Sequence, residues 1–253
     1  MLPPAETAYL AQLVSRLRSL LRQELVGVYL FGSAAYGDYR PGRSDLDVQA
    51  VVTTPLGERR CRELAGTLKH ASLPCPTRRL EFVCYAQPFI QPASRHPRFE
   101  LNLNTGAHEH DRLTLDHTEE ASHWFLLDIA IGRALGHALF GPESSSVFAP
   151  IPRLWQLEAI ADSLAWHSAH EPASANSILN ACRGWRYANT HIWGSKVAGA
   201  AWARQQRGCP PVVEQALRDR GGGARLPAAE AGTLVEIVTV AVQAAMLREY
   251  NER

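Results

Sequence analysis

Leu30-Phe31-Gly32-Ser33-Ala34-Ala35-Tyr36-Gly37 and, after the loop Asp38–Ser44, Asp45-Leu46-Asp47 form the stretch on which the fold turns. The run Leu25–Phe31 (LVGVYLF) is rich in β-formers and is cut off by Gly32-Ser33, so a strand ending in a turn is predicted. A phosphate site needs such a turn, because glycine has no Cβ and reaches positive φ, letting the backbone approach a triphosphate closely. If Ala34 opens a short helix, its free N–H groups point at the phosphates and the Ser33 hydroxyl adds a hydrogen bond. Leu46–Val52 reads as a second strand. Side chains alternate along it, so Asp45 and Asp47 share a face, about 7 Å apart along the chain. Paired carboxylates suit Mg²⁺, which prefers hard oxygen ligands and takes the rest of its shell from water and substrate phosphates. Taken singly, Gly-Ser is an ordinary turn and Asp-x-Asp a solvated strand edge. Together, in this order, and with Asp47 interrupting an apolar run where aspartate is disfavoured, they point to nucleotide chemistry.

Outward from that stretch, an amphipathic opening helix is marked by Leu10, Leu13, Val14, Leu17, Leu20 and Leu21. A helix is predicted from about Gly57 to His70, then a third strand at Arg79–Tyr85 (RLEFVCY). Glu81 on it shares a face with Arg79 and Val83, opposite Leu80 and Phe82. A carboxylate there is either a general base for an acceptor hydroxyl or the partner of Arg78 or Arg79 in a salt bridge. From Glu119 onward the pattern turns helical, with Trp124, Leu127, Ile131 and Leu135 in step. The Pro/Gly/Ser-rich LFGPESSSVFAPIP then marks a boundary. Two domains follow, 1–148 and 149–253. The second is read as helices at Leu154–Trp166, Ser174–Trp193, Ser195–Gln206, Val212–Arg218 and Ala228–Tyr250, with a turn at Gly221-Gly222-Gly223.

Composition limits the partners. The chain has 253 residues, 46% of them hydrophobic, and 26 Lys+Arg against 25 Asp+Glu leave a net charge of +1. That balance argues against a polyanion-wrapping surface, so no nucleic-acid partner is expected. Cys61, Cys75, Cys84, Cys182 and Cys209 are odd in number and lack CxxC spacing, which suggests neither a zinc site nor a disulfide framework and fits a reduced, cytoplasmic protein. No signal peptide is expected at an N-terminus carrying Glu6, Arg16 and Arg18, and no uninterrupted apolar run suggests a membrane span.

The string GSAAYGDYRPGRSDLDVQAVV (Gly32–Val52) resembles the nucleotidyltransferase signature of the polymerase-β-like superfamily, Gly-Ser followed by a Gly and then (Ser/Thr)-Asp-x-Asp-x-x-Val. Phe99–Gly106 (FELNLNTG), Trp124–Pro142 (WFLLDIAIGRALGHALFGP) and Ile178–Ala203 (ILNACRGWRY…GSKVAGAAWA) are similar to the aminoglycoside adenylyltransferases that modify streptomycin and spectinomycin. The resemblance implies an N-terminal α/β nucleotidyltransferase domain, with a small mixed sheet and helices, followed by a C-terminal all-helical domain. It also implies an antibiotic-resistance O-adenylyltransferase that takes ATP as co-substrate with Mg²⁺, held between the domains, and a small-molecule acceptor; the sequence does not fix the oligomeric state, for which a monomer is favoured. Carried over by position, Asp45 and Asp47 match the metal pair, Gly32, Ser33 and Ser44 the triphosphate contacts, and Glu81 the base. Lys196 matches a lysine reaching the ATP phosphates, and Asp128, across an alignment gap, a polar site residue. By itself a lysine at a helix start is a solvated surface charge, although the chain's cations are overwhelmingly arginine.

The acceptor region departs from that family. Gly106 stands where the streptomycin enzymes carry a nearby tryptophan. The loop His167–Ser177 has Glu171 as its only acid, and Arg183 and Arg186 follow on the next helix. The acids Glu109, Asp111, Asp116, Glu119 and Glu120 are either a solvated loop or a surface for a cationic acceptor. Trp185 and Trp193 are read as core residues, with acceptor stacking as the alternative, and His108, His110, His117 and His123 as surface residues. Besides an aminocyclitol or aminoglycoside enzyme, nucleotidylation of another hydroxylated metabolite and a non-catalytic, antitoxin-like nucleotide binder are open readings.

Overall fold

Helix α1 (Pro4–Leu21) opens with proline in its first turn, where the missing N–H costs nothing. It buries Leu10, Leu13, Leu17 and Leu21, spaced three and four apart along one stripe. The computed structural model describes residues 2–220, 223 and 225–251, so Gly221 and Gly222 of the glycine turn lie outside the described residues. The stripe of α1 lies on one face of a six-stranded mixed sheet, in the order β5-β4-β3-β2-β1-β6. Its strands are β1 (Leu25–Leu30), β2 (Leu46–Val52), β3 (Leu80–Ala86), β4 (Leu101–Gly106), β5 (Glu109–Thr114) and β6 (His137–Phe140). Only β2 and β3 run parallel. The connection between them contains helix α3 (Glu58–Leu68), preceded in the chain by the short α2 (Gly32–Tyr36).

Alternation along the strands sorts the sheet into two faces. Val28, Leu30, Val48, Ala50, Phe82 and Cys84 pack with α1 and with Leu64 and Leu68 of α3. On the other face Tyr29, Phe31 and Tyr85 surround Phe148, at ring separations of 5.3, 5.6 and 6.1 Å. Phe148 follows α6 (Ser144–Val147), which is tied to α5 (Ser122–Leu135) by Ser144 Oγ donating to Gly132 O and Arg133 donating to Phe148 O. A single turn, α4 (Gln87–Ile90), follows β3. The Pro/Gly/Ser-rich stretch read as a boundary thus contains the end of β6, one turn of helix and a core phenylalanine.

The chain divides into two compact units, Met1–Pro150 and Ile151–Arg253. The second is helical throughout: α7 (Arg153–His170), α8 (Ala175–Thr190), α9 (Lys196–Ala203), α10 (Val212–Arg218) and α11 (Ala228–Asn251). Its core joins Leu157 and Ile160 of α7, Ile178, Cys182 and Trp185 of α8, and Leu234, Val238 and Val242 of α11, all buried. Arg153 reaches both Glu249 (2.5 Å) and the Ala188 carbonyl (2.9 Å), fastening α7 to α11 and α8. The sequence shows no uninterrupted apolar run because Glu230 and Glu236 break it. Even so, α11 alone among the described residues is long and apolar enough to cross a membrane, with a mean hydropathy of 1.4. Ala231, Leu234, Val238, Val242 and Ala245 nonetheless recur at helical spacing as its buried stripe.

Candidate active site

The β1–β2 pairing extends past the end of β1, since Phe31 N donates to Asp47 O at 2.8 Å. Gly32 follows at φ +59°, a left-handed conformation, and a Cβ built there would fall on the Asp47 carboxylate. Glycine is therefore required twice, for its backbone and for the room it gives Asp47. Helix α2 begins at Gly32 itself rather than at Ala34, places Ser33 in its first turn, and ends on the left-handed Gly37. The Ser44 hydroxyl accepts from Arg40 N at 3.0 Å, so it closes the loop ahead of β2.

Parallel pairing of β2 with β3 sets Asp47 directly beside Glu81, and antiparallel β4 sets Asn104 on the other side of Glu81. Neighbouring strands lie about 4.8 Å apart, so the two carboxylates stand side by side on the sheet face that also bears Gln49 and Val83. Asp45 precedes β2 on the same face. Burial pushes its carboxyl up to about 6, Glu81 adds to the rise, and Arg79 and Arg78 oppose it. The salt bridge foreseen as an alternative role for Glu81 exists: an Arg79 terminal nitrogen bonds Glu81 Oε1. Arg79 Nε also faces Asp45 Oδ2 at 3.2 Å, and its third nitrogen meets Glu109 Oε2 at 3.1 Å. Burial pulls the Arg79 guanidinium down, but Glu81, Asp45 and Glu109 more than reverse this and fix its positive charge.

Two observations bear on a cation here. Asp45 Oδ1 is buried with no hydrogen-bond partner, leaving an acceptor-only oxygen with unused capacity. Among the described residues no three His, Cys, Asp or Glu side chains converge into a self-sufficient metal site. Two carboxylates completed by substrate oxygens is the arrangement that suits Mg²⁺ and not a fully protein-caged ion. The residues fit the group.

Asp128 is exposed on α5. The neighbouring Tyr85 hydroxyl is raised well above its usual range by burial first, then by the charges of Asp128 and Cys84. The acids of 109–120 do not form one free patch, because β5 and its flanks give them partners. Glu109 takes Arg78 and Arg79, Asp111 takes Lys69 and the Thr105 hydroxyl, and Glu120 takes Arg112. Glu109 and Asp111 lie on an edge strand, whereas Asp116 caps the exposed turn after it and Glu119 and Glu120 end that turn.

In the second unit Ser195 caps α9 by accepting from Ala198 N, which sets Lys196 on the first turn, its Nζ donating to Asn176 Oδ1 at 2.6 Å. Asn176 in turn donates to Glu171 Oε2 (3.0 Å), which lies 3.3 Å from Nδ1 of the buried His167. Arg183 donates to Asn180 Oδ1 at 2.8 Å, turning the Asn180 amide nitrogen towards His167 Nε2 at 3.1 Å. Burial lowers His167 to about 4; Glu171 works against that, and Lys196 and Arg183 reinforce it. Lys196 and Arg183 thus stand close around one polar network, an association the sequence hid because they are 13 residues apart on different helices. Trp185 and Trp193 are buried, Trp193 stacking on Tyr187 at 4.0 Å and donating to Gln156 at 2.7 Å.

Comparison with known proteins bears on both units. Residues 10–83 match the nucleotidyltransferase domain and residues 146–244 the C-terminal domain of aminoglycoside adenylyltransferase. An aminoglycoside (3'') (9) adenylyltransferase of Klebsiella pneumoniae is 29% identical over 240 residues, 90% of each chain. A spectinomycin 9-adenylyltransferase of Staphylococcus aureus is 30% identical over 202 residues, 76% of this chain and 75% of that protein. Among solved structures, the spectinomycin adenyltransferase of Enterococcus faecialis, crystallised with ATP and spectinomycin, superposes with a TM-score of 0.68. It is 19% identical, covering 93% of this chain and 99% of that one, and so shares the fold.

Proposed function

The chain belongs to the aminoglycoside adenylyltransferase family and is a nucleotidyltransferase, and from that premise we propose that it transfers AMP from Mg·ATP to a hydroxyl of an aminocyclitol or aminoglycoside antibiotic of the spectinomycin and streptomycin kind. The observation that carries this is the adjacent pair Asp47 and Glu81, held on one sheet face with Gly32 against the Asp47 carboxylate. In this reading the Gly32-Ser33 turn receives the triphosphate, and Asp45 and Asp47 hold Mg²⁺, which when bound neutralises charge on the transferring phosphoryl group. Lys196 is the phosphate contact of the second unit, with Ser44 and Asp128 as further nucleotide-site residues.

Glu81 takes the proton of the acceptor hydroxyl as its oxygen bonds to the α-phosphorus. The bond from that phosphorus to the bridging oxygen breaks, and pyrophosphate leaves with the electron pair. The near-zero net charge agrees with small-molecule partners and no nucleic acid. The cytoplasm, where ATP is plentiful, is the compartment we propose.

The test of Glu81 separates base from ligand. Glu81→Gln should retain calorimetric affinity for Mg·ATP while losing transfer by about 10²-fold or more, the usual contribution of a general base. An equal loss of nucleotide binding would make Glu81 a metal ligand or a structural group instead.

A second acceptor class is favoured by one feature. Glu171, the only acid of loop 167–177, commits Oε2 to Asn176 and lies against His167, while Arg183 stands nearby. An acceptor less basic than streptomycin, including another hydroxylated metabolite, suits that charge pattern better.

A further inference from the structure

Arg79 stands two residues before Glu81 on the same alternation, yet its guanidinium serves more than Glu81. Each of its three nitrogens faces a carboxylate from a different segment: Asp45 ahead of β2, Glu81 on β3 and Glu109 on β5. The side chain is about one quarter exposed (26%), so these pairs are only partly screened by solvent. Arg78 supports the same cluster from outside, 3.2 Å from Glu109 and 4.0 Å from Asp45. Two of the three carboxylates on Arg79 are the ones assigned above to the cation and to the acceptor proton. A divalent ion on the open Oδ1 of Asp45 would lie across one carboxylate from the guanidinium on Oδ2, close enough for the like charges to repel strongly. A triphosphate carries enough negative charge to offset that repulsion, and a bare ion does not.

We propose that Arg79 is an internal counter-cation that occupies Asp45 and Glu81 in the nucleotide-free chain and makes divalent-ion binding conditional on the triphosphate. When ion and nucleotide arrive together, Arg79 yields the two carboxylates and stays anchored on Glu109. It is a positioning residue: it keeps the carboxylates aligned and neutralised between turnovers and prevents idle metal occupancy. The proposal rests on the metal reading of Asp45 and Asp47 given above.

The test titrates Mn²⁺ calorimetrically, first alone and then as its complex with a non-hydrolysable ATP analogue. Wild-type protein should bind Mn²⁺ alone weakly and the Mn²⁺–analogue complex much more tightly. Arg79→Gln should tighten Mn²⁺ alone by about tenfold or more, the scale expected when a unit charge opposing a divalent ion at short range is removed. Arg79→Lys, which keeps the charge, should track the wild type. An unchanged or weakened affinity in Arg79→Gln, or equal tightening in both variants, would overturn the proposal. If Arg79→Gln melts early, Arg79→Met keeps the aliphatic stem and carries the same expectation. Failure of the underlying metal reading looks different: wild type would then bind the Mn²⁺–analogue complex no better than Asp47→Asn does.

Discussion

Gly32 shows how much of the chemistry rests on one atom being absent. Its φ of +59° and the Asp47 carboxylate both exclude a Cβ, whereas Gly37, also left-handed at +84°, has nothing within 4 Å of a built Cβ. The two glycines therefore separate backbone strain from site disruption. Each Gly→Ala change should cost roughly 1–2 kcal/mol of stability for the left-handed conformation. Only Gly32→Ala should also abolish the rise in melting temperature that Mg·ATP gives, by pushing Asp47 aside. The reading fails if Gly32→Ala keeps the full ATP-dependent shift, or if Gly37→Ala loses it as completely. At this scale the sequence was informative: Gly32 and Asp47 stood out through their order, a glycine turn at a strand end followed by an aspartate inside an apolar strand, while Glu81 was singled out mainly by the family resemblance. Arg79 was legible only as one of two roles for Glu81. Its bonds to Asp45 and Glu109 depend on strand order, which no local pattern encodes.

Among the elements, β1, β2 and β3 could be read because continuous apolar runs are bounded by turn residues. Strand β5 could not, since EHDRLT lies at the sheet edge with half of its side chains exposed and has no apolar period to betray it. Strand β6 is four residues long and follows directly on α5, so it was absorbed into the helix-breaking stretch. Helices α7, α8 and α9 meet in the polar network of His167, where the fold makes a further commitment. Neutral His167 accepts from Asn180, and its folded-state value of about 4 lies below the ordinary 6.5. The unfolded chain therefore binds the proton more readily. Stability from this group is fully present above about pH 6.5 and is lost as pH falls towards 4, by at most about 3 kcal/mol. Trp155, Trp166, Trp185, Trp193 and Trp202 all belong to this unit, so its denaturant unfolding can be followed by tryptophan fluorescence. Wild type should weaken between pH 7 and pH 5, and His167→Gln should lose most of that dependence. An identical pH slope in both would remove His167 as the cause.

For the whole molecule, composition said little about ligands: near-neutral charge weighs against polyanion binding and names no small molecule. Motif order supplied the nucleotide chemistry, and the α/β unit followed by helices fits it. The acceptor was the least legible part, because recognition of a drug depends on surface charges whose pairing the fold decides, as it does for Glu171 in its loop and Glu109 on the edge strand. Adenylyl transfer to an antibiotic hydroxyl on the Asp45, Asp47 and Glu81 face is the activity proposed for this molecule. It is tested most directly by mass spectrometry of drug incubated with Mg·ATP and the protein, with released pyrophosphate measured in parallel. The expected products are an AMP adduct of spectinomycin or streptomycin and one pyrophosphate per adduct, at a rate lower by orders of magnitude in Asp47→Asn. No adduct from either drug or from a wider aminoglycoside panel at saturating Mg·ATP, or undiminished turnover in Asp47→Asn, would contradict it.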